Sequence, residues 1–146
     1  MTLNERRRLF GASFNILANW LYDKGYNLHV DTDETNAFYR EDKLICIDSR
    51  MGIEKRLYTL IHECGHLLIE DRWSAYAKKY LHAGVRGDGR KMRSAKYRVS
   101  IIEEEVEAWE KGYRLAKRLN LYIDEEGFVK DKTEALMSYF EWASKP

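Results

Sequence analysis

Two histidines four residues apart in an apolar segment, His62 and His66, constrain this chain more than any other feature of its sequence. Together with the acid that follows the first histidine, they form the pattern H-E-x-x-H. Apolar residues recur at helical spacing around the pattern, so we predict a helix over residues 53–71. Residues four apart lie one turn above each other on a helix, and both imidazoles therefore point the same way. Apolar neighbours on all sides are typical of a central, buried helix.

Two stacked imidazoles in a buried helix are costly unless they bind something, so the pattern indicates a metal site. Neutral imidazole suits Zn²⁺, and a carboxylate beside the first ligand can serve as general base towards a water that the metal activates. We therefore predict zinc as the cofactor, His62 and His66 as ligands, and Glu63 as the catalytic residue. The alternative is a helix whose two histidines only form hydrogen bonds in the core.

A catalytic zinc usually has three protein ligands, and an acidic run further along the chain offers candidates for the third. This run lies in a second predicted helix, over about residues 99–120, whose apolar residues form one broad arc. Glu105 falls near the middle of the arc and Glu104 at its margin, whereas Glu103 and Glu107 fall outside it. A carboxylate on a buried face must be paired, protonated or bound to metal. Glu105 is therefore the predicted third ligand.

Two other residues stay open as alternatives for the third ligand. Glu104 is one, and His82 is the other because histidine binds zinc readily. The surroundings of His82 indicate the edge of a loop, so it could equally be an exposed or substrate-facing histidine. Tyr97 and His82 are also candidates for stabilising an oxyanion, with packing at the surface as the alternative for both.

The rest of the sequence predicts an α+β fold in a single domain over residues 1–146, as the chain length also indicates. Gly65 is expected to let a neighbouring element approach the metal-bearing helix closely. That helix should pack between a small three-stranded sheet and the helix that carries Glu105. The other predicted elements are a helix over 4–24 ending at Gly25, strands near 28–30, 37–40 and 44–48, and helices near 73–81 and 133–143, with 121–130 irregular.

The charge balance disfavours a chain that binds nucleic acid over its whole surface. Lys and Arg number 25 against 24 Asp and Glu, and the formal net charge is +1. Residues 72–98 nevertheless hold nine Lys or Arg against one Asp. We expect this segment to be a basic, partly flexible insert. It could contact nucleic acid weakly or grip an acidic part of a substrate, and a solvated loop is the alternative.

The composition also points to a cytoplasmic location. Only two cysteines are present, which fits a reducing compartment, and no uncharged run reaches membrane-spanning length. We therefore expect a folded cytoplasmic protein with no membrane partner.

The runs at 44–48 and 56–69 resemble the ImmA/IrrE-type zinc metallopeptidases, in which a strand of the form I-x-I-N/D leads into the active-site helix. That family is gluzincin-like, and a downstream glutamate in an E-x-x-A context supplies its third ligand. Glu105 stands in this context here. The resemblance, which covers about residues 26–120, implies a zincin-like hydrolase that cleaves an intracellular protein, with His62, His66 and Glu105 binding zinc.

This chain departs from the family pattern in two places. Trp109 stands where the family commonly has Asn or Asp, often as a partner of a ligand, and the basic insert is longer than usual. A weaker resemblance links the chain to SprT-like proteases, which use a third histidine. His82 lies at a broadly similar distance, so a DNA-associated protease is an alternative. A zinc-stabilised binding or regulatory module without catalysis is another.

Overall fold

The computed structural model describes residues 1–85 and 94–146. These residues form five α-helices, a three-stranded sheet and one 3₁₀ turn, so the predicted α+β class is confirmed. The elements are α1 (Leu3–Asp23), β1 (Asn27–Asp31), β2 (Ala37–Tyr39), β3 (Leu44–Asp48), α2 (Ile53–Glu70), α3 (Trp73–Lys79), the 3₁₀ turn (Leu81–Val85), α4 (Ala95–Arg118) and α5 (Glu125–Ala143).

The first helix is defined at both ends by local chemistry. At its start, the Thr2 side chain accepts a hydrogen bond from the backbone N–H of Glu5, and the Glu5 side chain accepts one from the backbone N–H of Thr2. It ends before Gly25, whose φ of 86° is readily available only to glycine. The predicted helix and its predicted stop are both confirmed.

The central strand of the sheet is β3, which pairs in parallel with β1 and antiparallel with β2. Its side chains alternate between the two faces of the sheet. Ile45 and Ile47 are fully buried in the main apolar cluster with residues of α1 and α2. Cys46 points to the opposite face. The small three-stranded sheet predicted from the sequence is therefore present.

Helices α2 and α4 cross with their backbones in close contact. A Cβ atom added at Gly65 of α2 would overlap the carbonyl group of Ala108, and one added at Gly112 of α4 would overlap the carbonyl of Ile61. The expectation that Gly65 permits close approach is confirmed. Helix α2 also contacts β2 and β3, so it touches both the sheet and α4.

Two helix starts differ from the predictions. Helix α4 begins at Ala95, earlier than expected, because the Ser94 side chain caps it by accepting a hydrogen bond from the Tyr97 backbone N–H. The prediction of irregular structure over 121–130 is wrong from residue 125 onward, where α5 begins. Acidic residues occupy the first turn of α5, where their negative charge interacts favourably with the positive end of the helix dipole. Phe128 is buried against aromatic rings of α2 and α4.

The structure describes the predicted basic insert only in part. The expected flexible basic loop falls largely on residues 86–93, which are not among the described residues. Within the described ranges, no helix combines the length and the apolar character needed to cross a lipid bilayer.

Candidate metal centre

The side chains of His62, His66 and Glu105 meet where α2 and α4 cross. Nε2 of His62 lies 3.1 Å from Nε2 of His66 and 2.8 Å from one carboxylate oxygen of Glu105. The other oxygen of Glu105 lies 3.0 Å from Nε2 of His66. One donor atom from each residue therefore faces the same small volume, and all three lie within 4.8 Å of one another.

The negative charge around these donor atoms favours a bound cation. Three carboxylates surround the two imidazoles, and all three are buried, with exposed fractions of 7% for Glu63, 8% for Glu104 and 6% for Glu105. Buried carboxylates must be paired, protonated or bound to metal. Two imidazole nitrogens and one carboxylate are also the donor set of many zinc sites. The residues present could therefore hold a metal ion.

The ionisation of the donors shows the same preference for positive charge. Burial alone would lower the pKa of His66, but hydrogen bonds to Glu104 and Glu105 raise it well above its usual range. Burial alone would raise the pKa of Glu105, but hydrogen bonds from His62 and His66 lower it to about 2. The carboxylates thus hold positive charge on the imidazole side of the cluster.

A cavity of about 400 Å³ opens beside the donor group. His62 and Glu63 form part of its wall, so the predicted base faces the same space as one predicted ligand. The Glu63 carboxylate lies 3.7 Å from Nδ1 of His62. The lining residues come from α2, α4, α5 and the segment before β2: Asn36, Lys55, Thr59, His62, Glu63, Trp109, Asp131, Glu134, Ala135 and Tyr139.

The two histidines are held in different ways. The ring of His62 stacks on the indole of Trp109, with ring centroids 4.5 Å apart and planes 9° from parallel. The His66 ring is instead held by hydrogen bonds, since its Nδ1 lies 2.9 Å from a carboxylate oxygen of Glu104. Trp109 therefore holds the His62 ring by contact with its face rather than by a hydrogen bond.

The structure places the alternative ligands behind the donor group. Glu104 contacts the ring nitrogen of His66 that faces away from Glu105. His82 lies next to Glu104, with its Nε2 3.3 Å from a carboxylate oxygen. The expectation of an exposed His82 at a loop edge is wrong, because only 5% of it is exposed. Tyr97 packs edge-on against His82 and is not among the residues that line the described cavity.

Tyr139 is the residue at this site that the sequence analysis missed. It lies on α5, lines the cavity and interacts with the Glu105 carboxylate. Burial first, and then the charge of Glu105, raise the pKa of its phenol above the usual range. A signal was present, because Tyr139 follows Ala135 by four residues and Phe128 by eleven, which places all three on one helix face.

A second group of possible ligands lies on the far face of the sheet and is looser. It consists of His29, Glu34 and Cys46, and the His29 side chain is 59% exposed and 4.0 Å from Glu34. Burial, followed by the nearby Glu34 carboxylate, raises the pKa of the Cys46 thiol to about 11. This thiol is therefore protonated at neutral pH when no metal is bound, and the exposure of His29 makes this group a weaker candidate than the one at the helix crossing.

The residues at the crossing thus form a candidate two-histidine, one-carboxylate metal centre at the wall of a cavity. Comparisons of the chain with models of known protein families, with curated proteins and with solved structures find no match. Its own chemistry is therefore the basis for the function proposed next.

Proposed function

We propose that the protein is a zinc-dependent peptidase that hydrolyses peptide bonds of a protein or peptide substrate. One observation carries the proposal: the donor atoms of His62, His66 and Glu105 converge beside a cavity that Glu63 also lines. A metal site used only for stability has no need of a cavity or of an additional buried acid at its edge. The resemblance to a zincin-like peptidase family agrees with this assignment.

His62, His66 and Glu105 would hold the ion. When bound, zinc supplies Lewis acidity, which polarises a carbonyl group and makes a water molecule more acidic. Glu63 takes a proton from the attacking water and passes it to the amine that leaves when the peptide bond breaks. Its place in the cavity wall, beside His62, suits this role.

Tyr139 has the position expected of a donor to the substrate. It lines the same cavity as Glu63 and His62, and its hydroxyl forms a hydrogen bond with Glu105. Because its phenol stays protonated at neutral pH, the hydroxyl can donate a hydrogen bond to the carbonyl oxygen of the scissile bond as negative charge develops there. Tyr139 takes the role for which Tyr97 was a candidate, and Tyr97 lies beside His82 instead.

The sheet offers a binding edge next to the cavity. In the described residues β2 pairs with β3 on one side and has no strand on its other side. Asn36, immediately before β2, lines the cavity, and its side chain accepts a hydrogen bond from the Asp48 backbone N–H. An extended peptide that pairs with the free edge of β2 would therefore lead towards Glu63.

The test compares wild type with Glu63→Gln, and with Glu103→Gln as a control at an exposed acid. Each protein is incubated with zinc and a peptide library, new termini are identified by mass spectrometry, and zinc content is measured by elemental analysis. We expect one zinc per chain in all three proteins and a loss of cleavage of about 10²–10⁴-fold in Glu63→Gln alone.

Two results would contradict the proposal. Cleavage by Glu63→Gln at the wild-type rate would show that Glu63 is not the catalytic base. A folded wild type that binds zinc and cleaves nothing, while its Glu63→Gln variant keeps full biological activity, would identify a zinc-stabilised binding or regulatory module instead.

A further inference from the structure

The His66 ring is engaged from both sides by carboxylates of consecutive residues. Its Nε2 faces Glu105 at 3.0 Å and its Nδ1 faces Glu104 at 2.9 Å. The two nitrogens of an imidazole point away from each other, so one residue cannot replace the other. A neutral imidazole carries one hydrogen, so a hydrogen bond donated from Nδ1 to Glu104 leaves the lone pair of Nε2 available to a cation.

Glu104 is itself held by buried groups on its other side. Its second carboxylate oxygen lies 3.3 Å from Nε2 of His82. The Tyr76 hydroxyl lies 3.1 Å from the same nitrogen and also interacts with Glu104. Glu104 is buried, with an exposed fraction of 8%, and each of its two carboxylate oxygens faces a histidine ring nitrogen.

Ser100 contacts the nitrogen of His82 that faces away from Glu104. Its Oγ lies 2.8 Å from Nδ1 of His82 and accepts a hydrogen bond at 3.2 Å from the His82 backbone N–H. Because the oxygen already accepts that bond, its own hydrogen is free to be donated to Nδ1. When the Ser100 hydroxyl donates to Nδ1, the neutral His82 ring carries its hydrogen on Nε2, where it can donate to Glu104.

We propose that Glu104 is a positioning residue for the zinc ligand His66, and that His82 positions Glu104. The proposal rests on the metal centre proposed above. Partners of this kind fix the tautomer and the orientation of a ligating histidine, and their loss commonly weakens metal binding about 10–100-fold. The resembled family commonly places such a partner four residues after the ligand glutamate, where this chain has Trp109. Here the carboxylate comes instead from the residue just before Glu105.

Zinc affinity tests this role without any substrate. The metal-free proteins are titrated with zinc in competition with a chromophoric chelator, and their thermal unfolding is recorded without metal. We expect Glu104→Gln to raise the dissociation constant about 10–100-fold, while its metal-free unfolding temperature stays close to that of the wild type. Glu103→Gln, one residue earlier and exposed, should bind zinc as the wild type does. An unchanged dissociation constant in Glu104→Gln would overturn the proposal.

The relay from His82 is tested by a double-mutant cycle. His82→Phe should weaken zinc binding by a smaller factor than Glu104→Gln, because it acts only through Glu104. In the double variant the second change should add little, since both remove the same support. Effects that multiply in full would show that His82 does not act through Glu104. Ser100→Ala provides a milder second variant and should shift zinc affinity in the same direction as His82→Phe.

A third measurement uses the wild-type protein, so misfolding of a variant cannot affect its result. Nitrogen-15 NMR of the histidine rings in the zinc-loaded protein should show His66 with its hydrogen on Nδ1 and its Nε2 bound to metal. A hydrogen on Nε2 would overturn the proposal. If the wild type did not bind zinc at all, the proposed metal centre itself would be wrong. If zinc bound tightly and its affinity did not depend on Glu104, only the positioning role would be wrong.

Discussion

Each carboxylate around the two histidines has different neighbours and therefore a different part to play. Glu63 lines the cavity, Glu105 lies against Nε2 of both rings, and Glu104 lies against the opposite nitrogen of His66. Successive residues on a helix differ by about 100° in direction. Glu104 and Glu105 can therefore reach one ring from two sides, which residues a full turn apart could not do.

Tyr139→Phe tests the proposed hydrogen-bond donor. The change removes one hydroxyl and keeps the ring and the three proposed ligands, so zinc content measured at saturating zinc should not change. We expect kcat to fall about 10²–10³-fold, the usual effect of losing one donor to a developing oxyanion. The rate is measured on a peptide that the wild type cleaves. Tyr22→Phe, at an exposed position on α1, is the matched control, and a kcat in Tyr139→Phe equal to that of the control would rule out the role.

The sequence predicts which side chains converge at the helix crossing better than it predicts the residues around them. His62 and His66 follow from one helical spacing, and Glu105 follows from its place in an apolar arc. These patterns are local, and the structure brings the three side chains together. Tyr139 and His82 depend on where separate elements pack. His82 sits in a 3₁₀ turn whose apparent loop character gives no indication that Ser100 and Glu104 cover it.

Among the elements, the crossing of α2 and α4 decides whether a metal centre forms at all. The closest contacts are those of Gly65 with Ala108 and of Gly112 with Ile61, all at backbone level. The candidate donors on the two helices can therefore come within a few ångströms of one another because neither glycine carries a side chain. The candidate site therefore depends on the close spacing of the two helices as well as on the side chains of His62, His66 and Glu105.

Gly65→Ala should therefore damage both stability and metal binding. The added methyl group must push the α4 backbone away, which we expect to lower the free energy of unfolding by about 3 kcal/mol, at the upper end for overpacking. Zinc affinity should fall as well. Urea unfolding and zinc titration measure the two effects.

Gly11→Ala provides the control for the same chemical change in a helix. A Cβ atom at Gly11 meets nothing within 4 Å, so alanine should raise the free energy of unfolding by about 0.5–1 kcal/mol. Equal effects at the two glycines would contradict the close-contact explanation.

The last helix shows where element prediction from sequence fails. Gly127 and the charged residues around it indicate a loop, but α5 starts at Glu125. The Tyr58 hydroxyl accepts a hydrogen bond from the Asp124 backbone N–H at 3.1 Å, and Phe128 is buried against Tyr58. These contacts come from α2, 66 and 70 positions earlier, and no local pattern around residue 125 contains them.

At the scale of the whole molecule, the candidate centre joins parts of the chain that are far apart in sequence. Helices α2, α4 and α5 and the segment before β2 all contribute to the donors or to the cavity wall. The buried carboxylates repel one another unless a cation or protons lie between them. Binding of an ion should therefore stabilise the fold as a whole.

Metal removal tests this coupling. At free zinc 100-fold above its dissociation constant, binding adds about 2.7 kcal/mol to the free energy of unfolding. For a chain of this size that corresponds to a rise in Tm of roughly 5–11 °C. Calorimetry with zinc and with a chelator measures the difference, and Glu105→Gln should abolish it. A Tm that changes neither with zinc nor with the chelator would mean that the native protein does not bind the ion.

The stacking of His62 on Trp109 gives the molecule an optical reporter of its own. Indole emission responds strongly to the charge and position of an imidazole in contact with it. Of the four tryptophans, Trp109 is the one that stacks on a ligand of the candidate centre in the described structure. Any event that alters that histidine should therefore change the fluorescence of the unlabelled protein, and Trp109→Phe should remove the signal.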